Sequence, residues 1–302
     1  MSTIKTIAFI GLGNMGGPMA ANMVKGGFAV TAFDLSSDAL ALAKANGCDT
    51  GHSIAEAVRD KDAVITMLPA GKHVRAVYGG ADGIFASAKA GALFCDCSTI
   101  DVQSARDVAA EAEKMGFSMV DSPVSGGVAA ASGGTLAFMV GGSDAAFEAA
   151  QTVLDPMAKA VMHAGDSGAG QSVKICNNML LGITMIGTAE AFVLAKKLGL
   201  DTQRFFDISS KASGQNWSMT SYCPEPGPVP TSPANSGYKP GFSAAMMLKD
   251  LRLAQDAAQT SGTSTPLGAE AQALYAMFDS LGGGNTDFSG IIQMLSGEMT
   301  KS

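Results

Sequence analysis

The sequence predicts two domains: an α/β domain over residues 1–164, built on a mainly parallel sheet, and an all-helical domain over residues 165–302, with a long helix from about residue 169 joining them. Three observations carry this reading. Short β-rich apolar runs alternate with helix-forming stretches from Ile4 to His163; the turn Gly11-Leu12-Gly13-Asn14-Met15-Gly16 directly follows the first run; and after Gly168-Ala169-Gly170 every periodic stretch is helical. A chain of 302 residues also exceeds what one core ordinarily holds.

In order, Ile4 to Ile10 is a strand, the glycine turn follows, and Met19 to Lys25 is a helix closed by Gly26-Gly27. Ala29 to Phe33 is a second strand ending at Asp34. A helix over 40–45, a short strand near Cys48, a helix over 54–58, the strand Ala63 to Leu68 and a helix over 72–78 continue the alternation. Next come the strand Leu93 to Asp96, a helix over 102–115, the strand Ser118 to Val120, the run Asp121 to Gly127, the strand Leu136 to Val140, a helix over 145–154 and a last strand over 160–163. Such order argues for a parallel sheet with helices on both faces, where ligands sit at the carboxyl ends of strands. Leu68-Pro69, Ser98-Thr99 and Asp121 to Gly127 all fall at such ends. Beyond Gly168, the apolar run Met179 to Leu194 predicts one long buried helix, and Asp201 or Thr202 caps a helix over 204–212. A loop over 213–242 holds six of the 11 prolines, with Trp217, Tyr222 and Tyr238 suited to packing it down. Helices over 244–260, 267–281 and 288–295 close the chain.

Composition narrows the partners. A net charge of -7 with no Lys/Arg block lacks the footprint of a nucleic-acid binder. Five scattered cysteines lack zinc or disulfide spacing, so a reducing, cytoplasmic setting is expected, with Cys95 and Cys97 as core thiols and no metal site. Only Met1 to Lys5 precedes the apolar run Ile7 to Ile10, which is too short for a signal-peptide core and leads straight into glycines. The uncharged run Ile175 to Ala189 falls short of the ~20 residues of a membrane span, so no membrane is expected.

The glycine turn has a mechanism. Gly11 permits the tight turn, Gly13 lets the backbone approach a pyrophosphate, and Gly16 lets the helix pack on the strand. The helix N-terminus then offers amide donors to the phosphates. Asp34, at the end of the second strand, is placed to accept the adenosine ribose hydroxyls, and its charge repels the extra phosphate of NADP. No arginine follows at Leu35 or Ser36, so the cofactor expected is NAD. A hydride carrier needs a proton acceptor for the alcohol. His52 reads as a solvated turn residue and His163 as a hydrogen-bonded core histidine, while His73, opening the helix after Leu68-Pro69, is placed to touch the cofactor. Lys174 is the better acceptor: Asn177 and Asn178 lie three and four residues on, beside its helical face. Its neighbours Val173, Ile175, Met179 and Leu180 are apolar, which desolvates an ammonium and lowers its pKa. Cys176 points about 200° away from Lys174 around that helix.

Phe9 to Gly16 with Pro18-Met19-Ala20, Met67-Leu68-Pro69, Asp121-Ser122-Pro123-Val124-Ser125-Gly126-Gly127 with Met139 to Gly142, Gly168-x-Gly170-x-x-x-Lys174-x-x-Asn177-Asn178 and Lys249-Asp250-Leu251 together resemble the β-hydroxyacid dehydrogenase family over nearly the full length. The resemblance implies a Rossmann-type domain whose residues Gly11, Leu12, Gly13, Asn14, Met15, Gly16, Asp34, Leu68, Pro69, His73 and Thr99 hold NAD. It implies that Lys174 is the general acid/base, that Ser125, Gly126 and Gly127 take the substrate carboxylate, and that Asn178 and Asp250 help hold the substrate. Lys249 is implied beside both cofactor and carboxylate. The loop residues Ser213-Gly214, Trp217-Ser218, Tyr222, Pro224, Pro226-Gly227 and Gly241-Phe242 resemble the branch that oxidises 3-hydroxyisobutyrate in valine breakdown. Where relatives have glycine after Gly-Gly-Val, this chain has Ala129. A homodimer or homotetramer is implied. The alternatives are a dehydrogenase for another short β-hydroxy acid, of the tartronate or succinic semialdehyde type, and a non-catalytic NAD-binding protein on the same fold.

Overall fold

Along the central strands, neighbouring residues part to opposite faces, and two apolar cores result. Ile7, Phe9, Ala63, Ile65, Leu93 and Cys95 face one core with Met19, Met23, Ala150 and Val153 from helices. Ala8, Ile10, Val64 and Phe94 face the other with Val74, Tyr78, Ala105 and Val108. The computed structural model describes residues 4–299. Met1 to Thr3, part of the segment that precedes the apolar run Ile7 to Ile10, lie outside them.

The strands are β1 (Thr6–Ile10), β2 (Ala29–Phe33), β3 (Asp49–Thr50), β4 (Ala63–Thr66), β5 (Leu93–Asp96), β6 (Ser118–Asp121), β7 (Val124–Ser125), β8 (Leu136–Gly141) and β9 (Ala158–Gly165). They form one sheet in the order β3-β2-β1-β4-β5-β6-β8-β7, with β9 paired to β8. From β3 through β6 every pairing is parallel. The chain runs outward from β1 through β2 to β3, then returns to lay β4 on the other side of β1, so the order reverses between β1 and β4. That reversal opens a crevice at the carboxyl ends of the two strands. Two pairings depart from the parallel expectation: β6 and β7 each meet β8 antiparallel. Pro123, between β6 and β7, has no N–H to offer a ladder, and the strand breaks there. The segment after it is a helix, Gly127–Gly133, rather than a loop; Ala129-Ala130-Ala131 favour that state.

The chain divides by contacts into one unit ending at Lys174 and another beginning at Ile175, a boundary inside the helix Ala169–Lys197. In the second unit, Met185, Ile186, Ala189 and Phe192 of that helix pack with Met247, Leu248, Leu251, Tyr275 and Phe278. The helix is long and apolar enough to cross a membrane by length and composition, a test that the core helix of a soluble protein also passes. It is less buried than its sequence predicts, since Leu180 and Leu194 are about 60% exposed. The helix expected over 204–212 is Thr202–Ser209, capped by Asp201, which accepts from the Arg204 amide at 2.9 Å. The loop over 213–242 contains the short helix Trp217–Thr220 and a 3-10 turn, Pro233–Ser236. The remaining helices are Ala244–Ser261, Pro266–Ser280 and Ile291–Ser296.

Candidate active site

The crevice begins at the glycine turn. Gly11 has φ +96°, and a Cβ there would overlap the Met67 carbonyl; a Cβ on Gly16 would overlap the Gly11 carbonyl. Gly13 differs, because a Cβ on it would meet no atom within 4 Å. Its backbone faces open space at the head of the helix Gly16–Lys25, whose first turn holds no acidic residue and whose N-terminus has no side-chain cap. Uncapped amides beside an open approach fit a pyrophosphate. Asp34 accepts from the Leu12 amide at 2.6 Å through one oxygen and from the Ser36 amide at 2.8 Å through the other. These bonds fix its carboxylate on the wall of a cleft of about 490 Å³, with lone pairs left for a ribose. Asp38 lines the same cleft, and among the described residues no lysine or arginine does. The residues present therefore fit a dinucleotide without a ribose phosphate.

The turns after β4 and β5 are tied together. The Leu68 amide donates to Ser98 Oγ at 2.8 Å, and Ser98 Oγ donates to Asp96 Oδ1 at 2.6 Å. Thr66 Oγ1 donates to the same oxygen at 2.7 Å. Burial pushes the Asp96 carboxyl up to about 6 against those donors. Thr99 and Leu68 are half-buried and Pro69 is exposed. His73 is half-buried, with an Nδ1 enclosed and without a hydrogen-bond partner among the described groups. His52 is exposed; His163 is hydrogen-bonded, by Nε2 to the Gly142 carbonyl at 2.8 Å, but it lies at the surface rather than in the core.

Ser125 pairs with Ala137 at the end of β7, and Gly126 and Gly127 follow with φ +134° and +68°. Both lie in the left-handed region that favours glycine, at the head of the helix Gly127–Gly133.

Lys174 is 6% exposed, in the second turn of the long helix. Val173 and Leu180, expected to shield it, are instead 43% and 60% exposed, while Ile175 is buried. In the second unit, Asn178 is buried and held from both sides: its Nδ2 donates to Asp250 Oδ2 at 2.6 Å, and its Oδ1 accepts from Asn177 Nδ2 at 3.0 Å. The Asp250 carboxylate thus orients Asn178. Lys249, the preceding residue on the helix Ala244–Ser261, is half-buried.

Two residues of this region have roles that the sequence reading did not assign, although Asp121 heads one of its motifs. Asp121 accepts from the Gly168 amide at 2.6 Å and the Gln171 amide at 2.9 Å, and burial still raises its pKa. The Gln171 side chain, fully buried, reaches the Thr99 turn. The available signal was a lone amide in the apolar first turns of the helix. Cys95 and Cys97 are buried, with the Cys97 thiol pushed up to about 12 by burial; among the described residues no group of three metal-ligating side chains occurs.

Comparison with known proteins agrees with this geometry. Residues 6–165 match the NAD binding domain of 6-phosphogluconate dehydrogenase, and residues 168–295 match the domain described as NAD-binding of NADP-dependent 3-hydroxyisobutyrate dehydrogenase. The 3-hydroxyisobutyrate dehydrogenase of Pseudomonas aeruginosa is 48% identical, over 90% of this chain and 91% of its own. An NAD-dependent L-serine dehydrogenase of the same organism is 46% identical, over 97% and 98%. The solved structure of Mycobacterium tuberculosis 3-hydroxyisobutyrate dehydrogenase with L-serine superposes with a TM-score of 0.93 at 49% identity, covering 97% of this chain and 99% of that one. The glycine turn, the Asp34 cleft and these full-length matches lead to one assignment: the chain is an NAD-dependent oxidoreductase that belongs to the 3-hydroxyisobutyrate dehydrogenase family.

Proposed function

We propose that this protein oxidises 3-hydroxyisobutyrate to methylmalonate semialdehyde. The observation that carries the proposal is a buried lysine, Lys174, on a helix that leaves the dinucleotide-binding unit, in a chain about half identical to enzymes of that name. Bound NAD supplies the hydride acceptor. Lys174 Nζ takes the hydroxyl proton as the carbinol carbon becomes a carbonyl, and returns it in the reverse direction. The amides of Ser125, Gly126 and Gly127 receive the carboxylate, which fixes the reacting carbon. Asn178, braced by Asp250, and Lys249 are assigned to substrate binding by the family resemblance. In this reading residues 1–164 form the NAD-binding domain, with Leu68, Pro69, His73 and Thr99 beside the cofactor, and residues 165–302 the substrate and oligomerisation domain.

A second reading is favoured by one finding, the similarity to an L-serine dehydrogenase. L-Serine carries the same carboxylate and β-hydroxyl. A panel of 3-hydroxyisobutyrate, L-serine, glycerate and 4-hydroxybutyrate, the last two being the alcohols of tartronate semialdehyde and succinic semialdehyde, at fixed NAD decides between them. The highest kcat/KM is expected for 3-hydroxyisobutyrate; a higher value for L-serine transfers the assignment, and NADH binding without turnover of any member makes the chain a non-catalytic binder.

Asp34 is tested through the coenzyme. The wild type is expected to favour NAD, and Asp34→Ala to lower the NAD/NADP ratio of kcat/KM by about 10- to 100-fold, since only NADP gains from losing the carboxylate. An unchanged ratio refutes the role.

A homo-oligomeric assembly is supported by exposed apolar side chains of the helical unit. Leu180, Leu194, Leu198, Leu200, Ile208 and Leu267 are each more than half exposed. Covering them between identical subunits supports a homodimer or homotetramer. A cytoplasmic location suits five free cysteines.

A further inference from the structure

We propose that Gln171 is a positioning residue that locks the helical turn carrying Lys174 to the turns beside the cofactor; this rests on the proton-transfer reading of Lys174. Gln171 is fully buried and stands one helical turn before Lys174. Its Oε1 accepts from the Ile100 amide at 3.1 Å, and its Nε2 donates to the Ser98 carbonyl at 2.7 Å. The two bonds bracket Thr99. Ser98 carries the link onward, because its Oγ accepts from the Leu68 amide at 2.8 Å. Both proposed cofactor-contact turns, at Leu68 and at Thr99, are therefore hydrogen-bonded in series to the first turn of the lysine's helix. From below, Asp121 grips the Gly168 and Gln171 amides and stops that turn from sliding.

The chemistry of the bridge selects the side chain. One end must accept from an amide N–H and the other must donate to a carbonyl, at full burial. A primary amide does both while neutral; a carboxylate only accepts, and an ammonium only donates. Breaking the bridge leaves the dinucleotide cradle at Gly11 to Gly16 intact. It releases the Thr99 turn and the helix start from each other, so the expected loss falls on turnover rather than on cofactor affinity. Misplacement of an acid/base by about 1 Å is enough to cost ~100-fold.

The test compares wild type, Gln171→Leu, Gln171→Glu and Lys174→Ala. In Gln171→Leu, kcat is expected to fall about 10- to 100-fold, NADH affinity by fluorescence to stay within about threefold, and exchange of the Ile100 amide in the protein without cofactor to accelerate at least ~10-fold. Gln171→Glu gives a pH signature. Once protonated, its carboxyl donates to the Ser98 carbonyl and accepts from Ile100, so its kcat relative to wild type is expected to rise from about pH 8 to about pH 6. If Gln171→Leu fails to fold, that pH signature decides alone, and a flat ratio overturns the proposal. A folded Gln171→Leu with faster Ile100 exchange but kcat within about twofold of wild type also overturns it, as does a loss confined to NADH affinity. Full activity in Lys174→Ala, or an inactive wild type, overturns the proton-transfer reading and this inference with it; an inert Lys174→Ala beside an unaffected Gln171→Leu overturns this inference alone.

Discussion

Lys174→Ala is expected to lower kcat by about 10²- to 10⁴-fold, the range that a positioned general acid/base contributes. NADH affinity is expected to stay within about threefold of wild type, because the glycine turn and Asp34, whose carboxylate is held by the Leu12 and Ser36 amides, lie elsewhere in the first unit. KM for the hydroxy acid rises less than kcat falls, since the carboxylate is assigned to the amides at Ser125 to Gly127. Lys174→Arg separates charge from proton transfer. A guanidinium keeps the positive charge but does not release its proton in a protein, so this variant is expected to be nearly as inactive as the alanine variant. Stopped-flow measurement of NADH formation with saturating substrate reads both. An arginine variant with more than about a tenth of wild-type kcat would show that Lys174 acts through charge alone.

Much of this site was legible because its signals are local. The glycine turn, the strand before it and Asp34 all lie within residues 6–34, and each has a backbone reason that a single sequence displays. The switch from alternating to purely helical periodicity after Gly168 was a local signal of the same kind. What stayed hidden is held by bonds between distant positions. Gln171 reaches Ser98 and Ile100 across more than 70 residues, and Asp250 holds Asn178 across 72. The resemblance marked Asp250 as a substrate contact, not as the brace of Asn178, and left Gln171 unremarked. The exposed flank of the long helix was hidden for the opposite reason: an all-round apolar helix has no periodicity to say which side faces outward. Leu180 and Val173 thus read as shielding for Lys174, although both face solvent. The helix Gly127–Gly133 was lost among glycines that mark turns, although three alanines within it favour the helical state.

Asp287, which nothing in the sequence singled out, is where the helical unit should be most sensitive. Its buried carboxylate accepts five hydrogen bonds: Tyr222 Oη at 2.9 Å, the Gly241 amide at 3.0 Å and the Phe242 amide at 3.2 Å on one oxygen, and the amide and hydroxyl of Ser289 at 3.0 and 2.7 Å on the other. Asp287→Ala leaves these donors facing a cavity, and unsatisfied buried donors cost ~1–3 kcal/mol each where water cannot replace the partner. With partial relaxation the net loss is expected to be about 4 kcal/mol, a fall of roughly 10 °C in the melting temperature. Trp217, the one tryptophan of the chain, stacks on Tyr222 at 5.1 Å, and Tyr222 on Phe288 at 5.3 Å. Its emission therefore reports directly on the loop that Asp287 anchors. A red shift is expected in Asp287→Ala, and a smaller one in Tyr222→Phe, which removes a single donor worth ~1 kcal/mol. Asp287→Asn falls between, because its amide keeps one acceptor but sets a donor against existing donors. NADH affinity is expected to be unchanged in all three below the melting temperature, since none of the five bonds involves the dinucleotide-binding unit. An Asp287→Ala protein with wild-type melting and unshifted Trp217 emission would mean that the hydrogen bonds converging on this carboxylate are replaceable, and that the loop over 213–242 is held by its other contacts, such as the Tyr238 Oη bond to the Pro224 carbonyl and the Lys196–Glu225 ion pair.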